Sequence, residues 1–298
     1  MNYYAKIMLF GEYSVLTGTS AVTIPYKKYC ANLSFPTVQN VDSAIKKSNS
    51  VLKDFYRYLV AKKWDSELTL NFDQFNQDIK LGMYLESSIP QNFGLGSSGA
   101  LVAAVFNKYA LINLVKTNLS QLKKTLAQAE SFFHGSSSGI DPLSCLLGEP
   151  LLFKNNSITP LKAEMIKESV SHFFLYNTHL KSSTGNFVQQ FLNNLSGNKN
   201  LSVYKSYCRL IDASTEKLIE GDTEALWQNL SEISGFQFKY FKPMIPEEVR
   251  PIWLKGLKSG EYYFKLCGSG GGGYMLLFSL KSVDELTTAA PVVPLLGQ

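Results

Sequence analysis

The chain has 298 residues, of which 45% are hydrophobic and 18% are charged. This length and composition suit one large folded core or two medium ones and exclude a chain that is mainly disordered. The formal net charge of +5 comes from scattered lysine pairs and not from a basic stripe interleaved with aromatic residues. We therefore do not expect a nucleic-acid partner, and anionic small molecules suit the charge better.

The spacing of the cysteines and the length of the apolar runs bear on where in the cell the protein is expected. The four cysteines, at positions 30, 145, 208 and 267, lack the paired spacing of zinc or redox sites. The N-terminus has no charged region followed by a long apolar stretch, and no apolar run approaches the roughly 20 residues that a membrane helix needs. We expect a cytoplasmic protein that has no membrane partner.

The N-terminal half is predicted to be rich in strands, with helices inserted between them. Alternating apolar residues and β-branched or aromatic content predict strands at residues 7–10, 21–24, 30–35, 67–72 and 80–86. A long helical pattern covers residues 42–63. Residues 98–114 are nearly all apolar and predict a buried helix, and a serine cap opens an amphipathic helix over residues 120–133.

The C-terminal half begins with a second apolar core. Residues 171–178 predict a central strand that opens a new domain. Helical patterns and two final strands follow, over residues 201–220, 223–236, 247–258, 262–266 and 274–278. The predicted fold class is α+β, with one domain over residues 1–165 and a second over residues 166–298.

A glycine-rich segment precedes the buried helix, and its residues are Gly94, Leu95, Gly96, Ser97 and Ser98. Glycines let the backbone approach a ligand closely, and the start of a helix presents unpaired N–H groups and a positive dipole end. This pattern predicts a phosphate cradle. An ordinary helix entry with serine caps is the alternative.

A second glycine run, residues 268–273, lies between the last two predicted strands. Ordering consecutive glycines costs a large conformational entropy. A flexible hairpin loop offers no local interaction that offsets this cost. A loop whose backbone lies against a ligand or another loop explains the run better.

The segment 130–141 carries two carboxylates eleven positions apart, Glu130 and Asp141. Transfer of a phosphoryl group needs a metal to neutralise the phosphates and usually a carboxylate or cation near the accepting hydroxyl. The alternative interpretation makes Glu130 a surface charge and Asp141 a helix cap. His134, which lies between them, is given no catalytic role, because a structural histidine at the end of a helix explains it equally well.

Three motifs in the same order, residues 6–16, 90–98 and 265–273, resemble those of the GHMP family of small-molecule kinases. The resemblance implies a ribosomal-protein-S5-like N-terminal domain that binds ATP and a ferredoxin-like C-terminal domain. It also implies ATP and Mg²⁺ as cofactors and an alcohol as the substrate. A homodimer is left open.

The resemblance also implies roles for individual residues. ATP phosphates would bind to Gly94, Leu95, Gly96, Ser97, Ser98, Gly270, Gly271 and Gly272. Ser98 and Glu130 would hold Mg²⁺. Asp141 would orient or deprotonate the substrate hydroxyl, and Lys6 would support it as a nearby cation. A solvated residue at the start of a strand is the alternative for Lys6.

Two segments of the chain indicate the substrate, and one residue, Tyr13, differs from the pattern they suggest. Residues 130–141 and the turn 177–184 resemble mevalonate kinases, which implies phosphorylation of the primary hydroxyl of mevalonate. Glu12, Tyr13 and Thr184 would contact the substrate, although Tyr13 is closer to the phosphomevalonate kinase pattern. Phosphomevalonate kinase and a catalytically silent ligand sensor of the same fold stay open as alternatives.

Overall fold

The computed structural model describes residues 1–37, 42–64, 70–111, 114, 117–182, 189, 191–193, 201–268, 270–282, 285–286 and 292–295. The chain forms two compact units that interleave in sequence. Unit 1 comprises Met1–Lys6, Pro25–Pro90 and Gly96–Gly148, and unit 2 comprises Ile7–Ile24, Gln91–Leu95 and Glu149–Gln298. The domain boundary at residue 165 stays a prediction.

Among the described residues, helices and strands occur in groups and do not strictly alternate, as in an α+β fold. The strands are β1 (Tyr3–Phe10), β2 (Ala21–Ser34), β3 (Tyr84–Ser87), β4 (Leu151–Lys154), β5 (Ser157–Pro160), β6 (Phe173–Asn177), β7 (Tyr263–Leu266), β8 (Tyr274–Phe278) and β9 (Val292–Pro294). The helices are α1 (Ser43–Ala61), α2 (Phe72–Lys80), α3 (Ser97–Tyr109), α4 (Leu119–His134), α5 (Ile140–Leu147), α6 (Ala163–Ser171), α7 (Leu201–Glu220), α8 (Thr223–Tyr240) and α9 (Arg250–Ser259).

Helix α3 forms the centre of unit 1, as its apolar sequence predicts. Its residues from Gly99 to Phe106 are all buried, because a helix that is apolar on every side has no face for solvent. Helices α4 and α5 pack against it. The helix ends at Tyr109, short of the predicted residue 114, since Ala110 turns to extended backbone and forms a β-bridge with Leu70.

Strand β2 joins two predicted strands into one of 14 residues. Its start pairs with β4 in unit 2, with Ala21 opposite Phe153, and its end pairs with β3 in unit 1. The lysine pair at 27–28 interrupts the apolar pattern at exposed positions of the strand. Charge at the surface does not end a strand, and the sequence pattern therefore predicted a break that the backbone does not have.

Helix α2 was not predicted from the sequence, which instead indicated strands at residues 67–72 and 80–86. The predicted strand 67–72 lies partly outside the described residues, and its last residue, Phe72, begins α2. The predicted strand 80–86 is reduced to β3. The Asn71 side chain accepts a hydrogen bond from the Gln74 amide and caps the helix, while Phe72, Phe75 and Ile79 recur at helical spacing.

Unit 2 contains a four-stranded antiparallel sheet in the order β7-β8-β6-β9. Strand β6 pairs with both β8 and β9, and the predicted central strand is confirmed. Two large aromatic side chains on neighbouring strands, Phe173 and Phe278, meet with ring centroids 4.8 Å apart. This aromatic pair adds to the apolar burial that holds the sheet together.

None of the described helices combines the length and the apolar character that a span across a lipid bilayer requires.

Candidate active site

The start of α3 has the geometry of an anion site. Gly96 lies before the first helical residue in the left-handed conformation, with φ of 78°, and its carbonyl accepts the first intrahelical hydrogen bond, from Ala100 N. The amides of Ser97, Ser98 and Gly99 open the helix, where N–H groups lack intrahelical acceptors. These amides and the helix dipole favour a negatively charged group.

Gly96 and Gly99 let this helix start lie close to two charged residues. A Cβ atom at Gly96 would lie 3.0 Å from Lys6 Cγ, and one at Gly99 would lie 2.8 Å from the backbone carbonyl carbon of Asp141. The Gly99 position leaves no room for a side chain, and at Gly96 the Lys6 side chain would have to shift. The two glycines therefore bring the α3 N-terminus against β1 and against the first turn of α5.

Lys6 and Asp141 form an ion pair beside this helix start. Lys6 Nζ lies 2.9 Å from Asp141 Oδ1, and the exposed fractions of the two side chains are 3% and 30%. The lysine is thus enclosed while part of the carboxylate faces solvent. An enclosed ammonium holds the carboxylate in place, and the open side of the carboxylate can reach an incoming hydroxyl.

Glu130, near the end of α4, is held by two serine hydroxyls. Ser98 Oγ donates to Glu130 Oε1 at 2.9 Å, and Ser137 Oγ donates to Oε2 at 2.5 Å. His134 Nε2 lies 2.9 Å from Ser98 Oγ. Because Ser98 donates its hydroxyl proton to Glu130, the Ser98 oxygen acts as the acceptor in its contact with His134. His134 therefore carries a proton on Nε2.

Burial raises the pKa of Glu130 to about 7, and the negative charge of Asp141 adds to this effect. Hydrogen bonds from Ser137 and Ser98 and the positive charge of Lys6 oppose the rise in pKa. A buried carboxylate in this state gains from a bound cation, which stabilises its ionised form.

The donor set at Glu130 fits Mg²⁺. The carboxylate and the Ser98 hydroxyl supply the hard oxygen ligands that Mg²⁺ prefers. Within the part of the chain that the structure describes, no group of three or more His, Cys, Asp or Glu side chains could hold a metal. Two protein oxygens match the usual arrangement in which Mg²⁺ takes its other ligands from substrate phosphates and water.

In unit 2, the second glycine run adopts backbone that other residues rarely adopt. Gly270, Gly271 and Gly272 have φ of 68°, 74° and 145°. Gly271 N donates to Met244 O at 2.7 Å, and a Cβ atom at Gly272 would lie 2.7 Å from a backbone oxygen. These three glycines are therefore packed against other parts of unit 2 and do not form a free hairpin loop.

Gly94 and Leu95 belong to the segment of unit 2 that leads to α3. A Cβ atom at Gly94 would lie 3.1 Å from Cys267 O and 3.9 Å from Gly268 Cα, so the first and second glycine segments touch through backbone atoms. Leu95 is buried. The nucleotide-binding roles of both segments stay predictions.

Glu12, also in unit 2, forms a second buried ion pair. Lys265 Nζ lies 2.6 Å from Glu12 Oε1, with exposed side-chain fractions of 2% and 1%. Lys265 also donates to Leu266 O at 2.9 Å. Sequence reasoning gave Lys265 no role, since a contact between residues 253 positions apart leaves no local pattern.

Tyr13 lies in an aromatic cluster of unit 2. Its ring packs on Phe191 and Phe241 with centroids 5.8 and 5.9 Å away, and burial raises its pKa well above the usual range. Its φ of 60° is uncommon for a side-chain-bearing residue. Thr184 lies outside the described residues, and substrate contacts by Glu12, Tyr13 and Thr184 stay predictions.

The structure thus brings Lys6, Ser98, Glu130 and Asp141 into one cluster of unit 1. Sequence reasoning missed Ser137, although the three serines at positions 136–138, between two candidate carboxylates, were a usable signal. The catalytic and metal-binding roles of the cluster are taken up below as proposals.

Comparison with known families gives the class of this fold. Residues 56–149 match the family model described as the GHMP kinases N terminal domain. This part of the chain is therefore similar to a GHMP kinase N-terminal domain, and the resemblance predicted from the three ordered motifs is confirmed. The fold is the two-domain α+β GHMP kinase fold.

The similar proteins include mevalonate kinases and a phosphomevalonate kinase. Mevalonate kinase of Thermococcus sibiricus is 21% identical over 308 aligned residues, which cover 97% of this chain and 91% of the relative. The crystal structure of L. major mevalonate kinase in complex with R-mevalonate has a TM-score of 0.61 at 15% identity and covers 94% of this chain and 87% of that one. Streptococcus pneumoniae phosphomevalonate kinase, in complex with phosphomevalonate and AMPPNP, has a TM-score of 0.59 at 16% identity, with coverages of 95% and 92%.

Proposed function

We propose that this protein is an ATP-dependent kinase that phosphorylates the primary hydroxyl of mevalonate. The observation that carries the proposal is the Lys6–Asp141 ion pair, 2.9 Å long and open on its carboxylate side, at the N-terminus of α3. The curated relatives named mevalonate kinase, with 97% of the chain aligned in the example above, support the choice of substrate.

The reaction assigns a separate task to each group in the cluster. The substrate hydroxyl oxygen forms a bond to the γ-phosphorus of ATP, and the bond from that phosphorus to the bridging oxygen breaks, which releases ADP. Asp141 accepts the hydroxyl proton and passes it to solvent. Lys6 holds Asp141 and stabilises negative charge as the phosphoryl group moves. The amides of Ser97 and Ser98 face the phosphates.

Ser98 and Glu130 would hold the Mg²⁺ that the reaction uses. When bound, the ion neutralises charge on the phosphates. Glu130 is already oriented by its bonds to two hydroxyls. The charges of Lys6 and Asp141 act on Glu130, which supports a metal site close to the proposed base.

One argument favours mevalonate as the substrate, and another supports phosphomevalonate as the second candidate. Residues 177–184 contain one lysine, Lys181, and no arginine, which is a poor site for a second dianionic phosphate because such groups usually attract arginine forks or several donors. Phosphomevalonate kinase is the second candidate, since Tyr13 matches its pattern and the Streptococcus pneumoniae enzyme has a similar fold.

A coupled assay of ADP release tests the proposal. The substrates are mevalonate, phosphomevalonate, diphosphomevalonate, homoserine and galactose, each with ATP and Mg²⁺. We expect kcat/KM for mevalonate to exceed that for phosphomevalonate at least roughly tenfold, or about 1.4 kcal/mol of transition-state binding. Equal or reversed preference would favour phosphomevalonate kinase. Absence of ADP release with every alcohol would favour the ligand sensor.

A further inference from the structure

Ser137 lies on the short connection between α4 and α5 and makes two hydrogen bonds at once. Its hydroxyl donates to Glu130 Oε2 at 2.5 Å and accepts from Gly139 N–H at 2.9 Å. Gly139 immediately precedes α5, whose first turn carries Asp141. One hydroxyl therefore joins the proposed metal ligand to the start of the helix that presents the proposed base.

The two oxygens of Glu130 differ in what holds them. Oε1 accepts from Ser98, which is itself a proposed metal ligand, whereas Oε2 accepts from Ser137, which is not. If a cation takes Ser98 Oγ and Oε1 as ligands, the bond from Ser137 to Oε2 still orients the carboxylate. Groups that orient a metal ligand in this way usually change metal affinity by about 10- to 100-fold when they are removed.

We propose that Ser137 is a positioning residue that fixes the Glu130 carboxylate for binding the metal–nucleotide complex. This inference rests on the proposed function, because it takes Glu130 as the metal ligand. It goes beyond that function by assigning a role to a residue that does not itself touch the metal or the substrate.

The neighbouring Ser138 provides a matched control. It has the same side chain, lies on the same connection and is exposed. Its Oγ accepts from Ile140 N at 3.4 Å, which is longer than a typical N–H···O bond. A general effect of removing a hydroxyl from this loop would appear in Ser138→Ala as well as in Ser137→Ala.

The experiment measures metal binding without turnover, and then metal dependence with turnover. Binding of Mn²⁺ to the whole protein in the presence of a non-hydrolysable ATP analogue is followed by electron paramagnetic resonance of unbound Mn²⁺. We expect Ser137→Ala to weaken this affinity roughly tenfold and to raise the Mg²⁺ concentration for half-maximal rate by a similar factor. We expect kcat at saturating Mg²⁺ to fall less, and Ser138→Ala to match the wild type in each measurement.

A pair of variants of nearly equal shape keeps the proposal testable if Ser137→Ala does not fold. Thr and Val at position 137 differ in one hydroxyl, so Ser137→Thr should bind Mn²⁺ within about threefold of the wild type, while Ser137→Val should show the roughly tenfold loss. Wild-type affinity in Ser137→Ala or Ser137→Val, or equal losses in Ser138→Ala, would overturn the proposal. Failure of the proposed function would appear separately, as a wild-type protein that binds Mn²⁺ and nucleotide but releases no ADP.

Discussion

Two lysine–carboxylate pairs in this protein have the same chemistry and different surroundings. In unit 1, Lys6 is enclosed while 30% of the Asp141 side chain is exposed. In unit 2, Lys265 and Glu12 are exposed by only 2% and 1%. The first pair keeps a carboxylate edge available to another molecule, and the second has almost none.

Under the proposed function, this difference in exposure separates a catalytic pair from a structural one. Removing one partner of a fully buried pair leaves an uncompensated charge with no access to water. Removing Lys6 leaves a carboxylate that solvent can still reach in part. We therefore expect variants of the first pair to affect rate more than stability, and variants of the second to affect stability first.

The largest expected effect is on the rate, in Asp141→Asn. Neutralising the carboxylate removes the proposed proton acceptor but keeps the side-chain shape, so kcat should fall by roughly 10² to 10⁴ while ATP still binds. Steady-state ADP release and nucleotide titration measure the two quantities. An Asp141→Asn protein within a factor of a few of the wild-type rate would remove this residue from the mechanism.

The second effect is on stability, in Lys265→Met. The buried Glu12 carboxylate would lose its partner at 2.6 Å, and the free energy of unfolding should fall by about 3–5 kcal/mol. Urea unfolding measures this loss, with Lys6→Met as the matched control that should lose clearly less. The double variant Glu12→Gln with Lys265→Met should recover part of the loss, and equal losses for Lys6→Met and Lys265→Met would contradict the distinction between the pairs.

A third effect concerns the metal near the open pair. Ser98→Ala removes one proposed oxygen ligand, and Glu130→Gln removes the negative charge of the other. Each variant should therefore raise the Mg²⁺ concentration for half-maximal rate, by roughly tenfold. Rates measured across a Mg²⁺ titration give this value. An unchanged metal dependence in both variants would mean that the metal site is misplaced.

The smallest effect comes from a third pair, in which Lys108 Nζ lies 2.9 Å from Asp78 Oδ2. Burial alone would raise the pKa of Asp78, but hydrogen bonds from Lys108, Tyr109 and Gln74 outweigh it and hold the pKa below its usual value of 3.8. The ionised Asp78 therefore stabilises the folded protein fully at pH values above that usual pKa. This stabilisation is lost as the pH falls through the lower pKa of the folded state. The stability difference between wild type and Asp78→Asn should therefore shrink below about pH 4, as unfolding free energies between pH 3 and 6 would show. A difference that grows on acidification would contradict this sign.

The parts of the fold that sequence predicted are those with strong local patterns. Helix α3 and the central strand β6 were predicted from continuous runs of apolar residues. Helix α5 has eight residues, too few for a clear period, and β2 was divided because its surface lysines interrupt an otherwise continuous strand.

The candidate site divides in the same way. Lys6, Ser98, Glu130 and Asp141 could be predicted because each lies in or beside a motif that resembles those of the GHMP kinases. The Glu12–Lys265 pair could not, because tertiary packing alone joins residues 253 positions apart. The hydrogen bonds of Ser137 depend on the rotamer and loop path between two helices, which a run of serines does not specify.

A crystal structure with Mg²⁺ and a non-hydrolysable ATP analogue tests the central claim most directly. The account predicts phosphate oxygens within hydrogen-bond distance of the amides that open α3, at Ser97 and Ser98, with Mg²⁺ bound to Ser98 and Glu130. The γ-phosphate should lie on the side where Asp141 is exposed. Phosphates more than about 8 Å from the start of α3, well outside hydrogen-bond reach, would contradict the account.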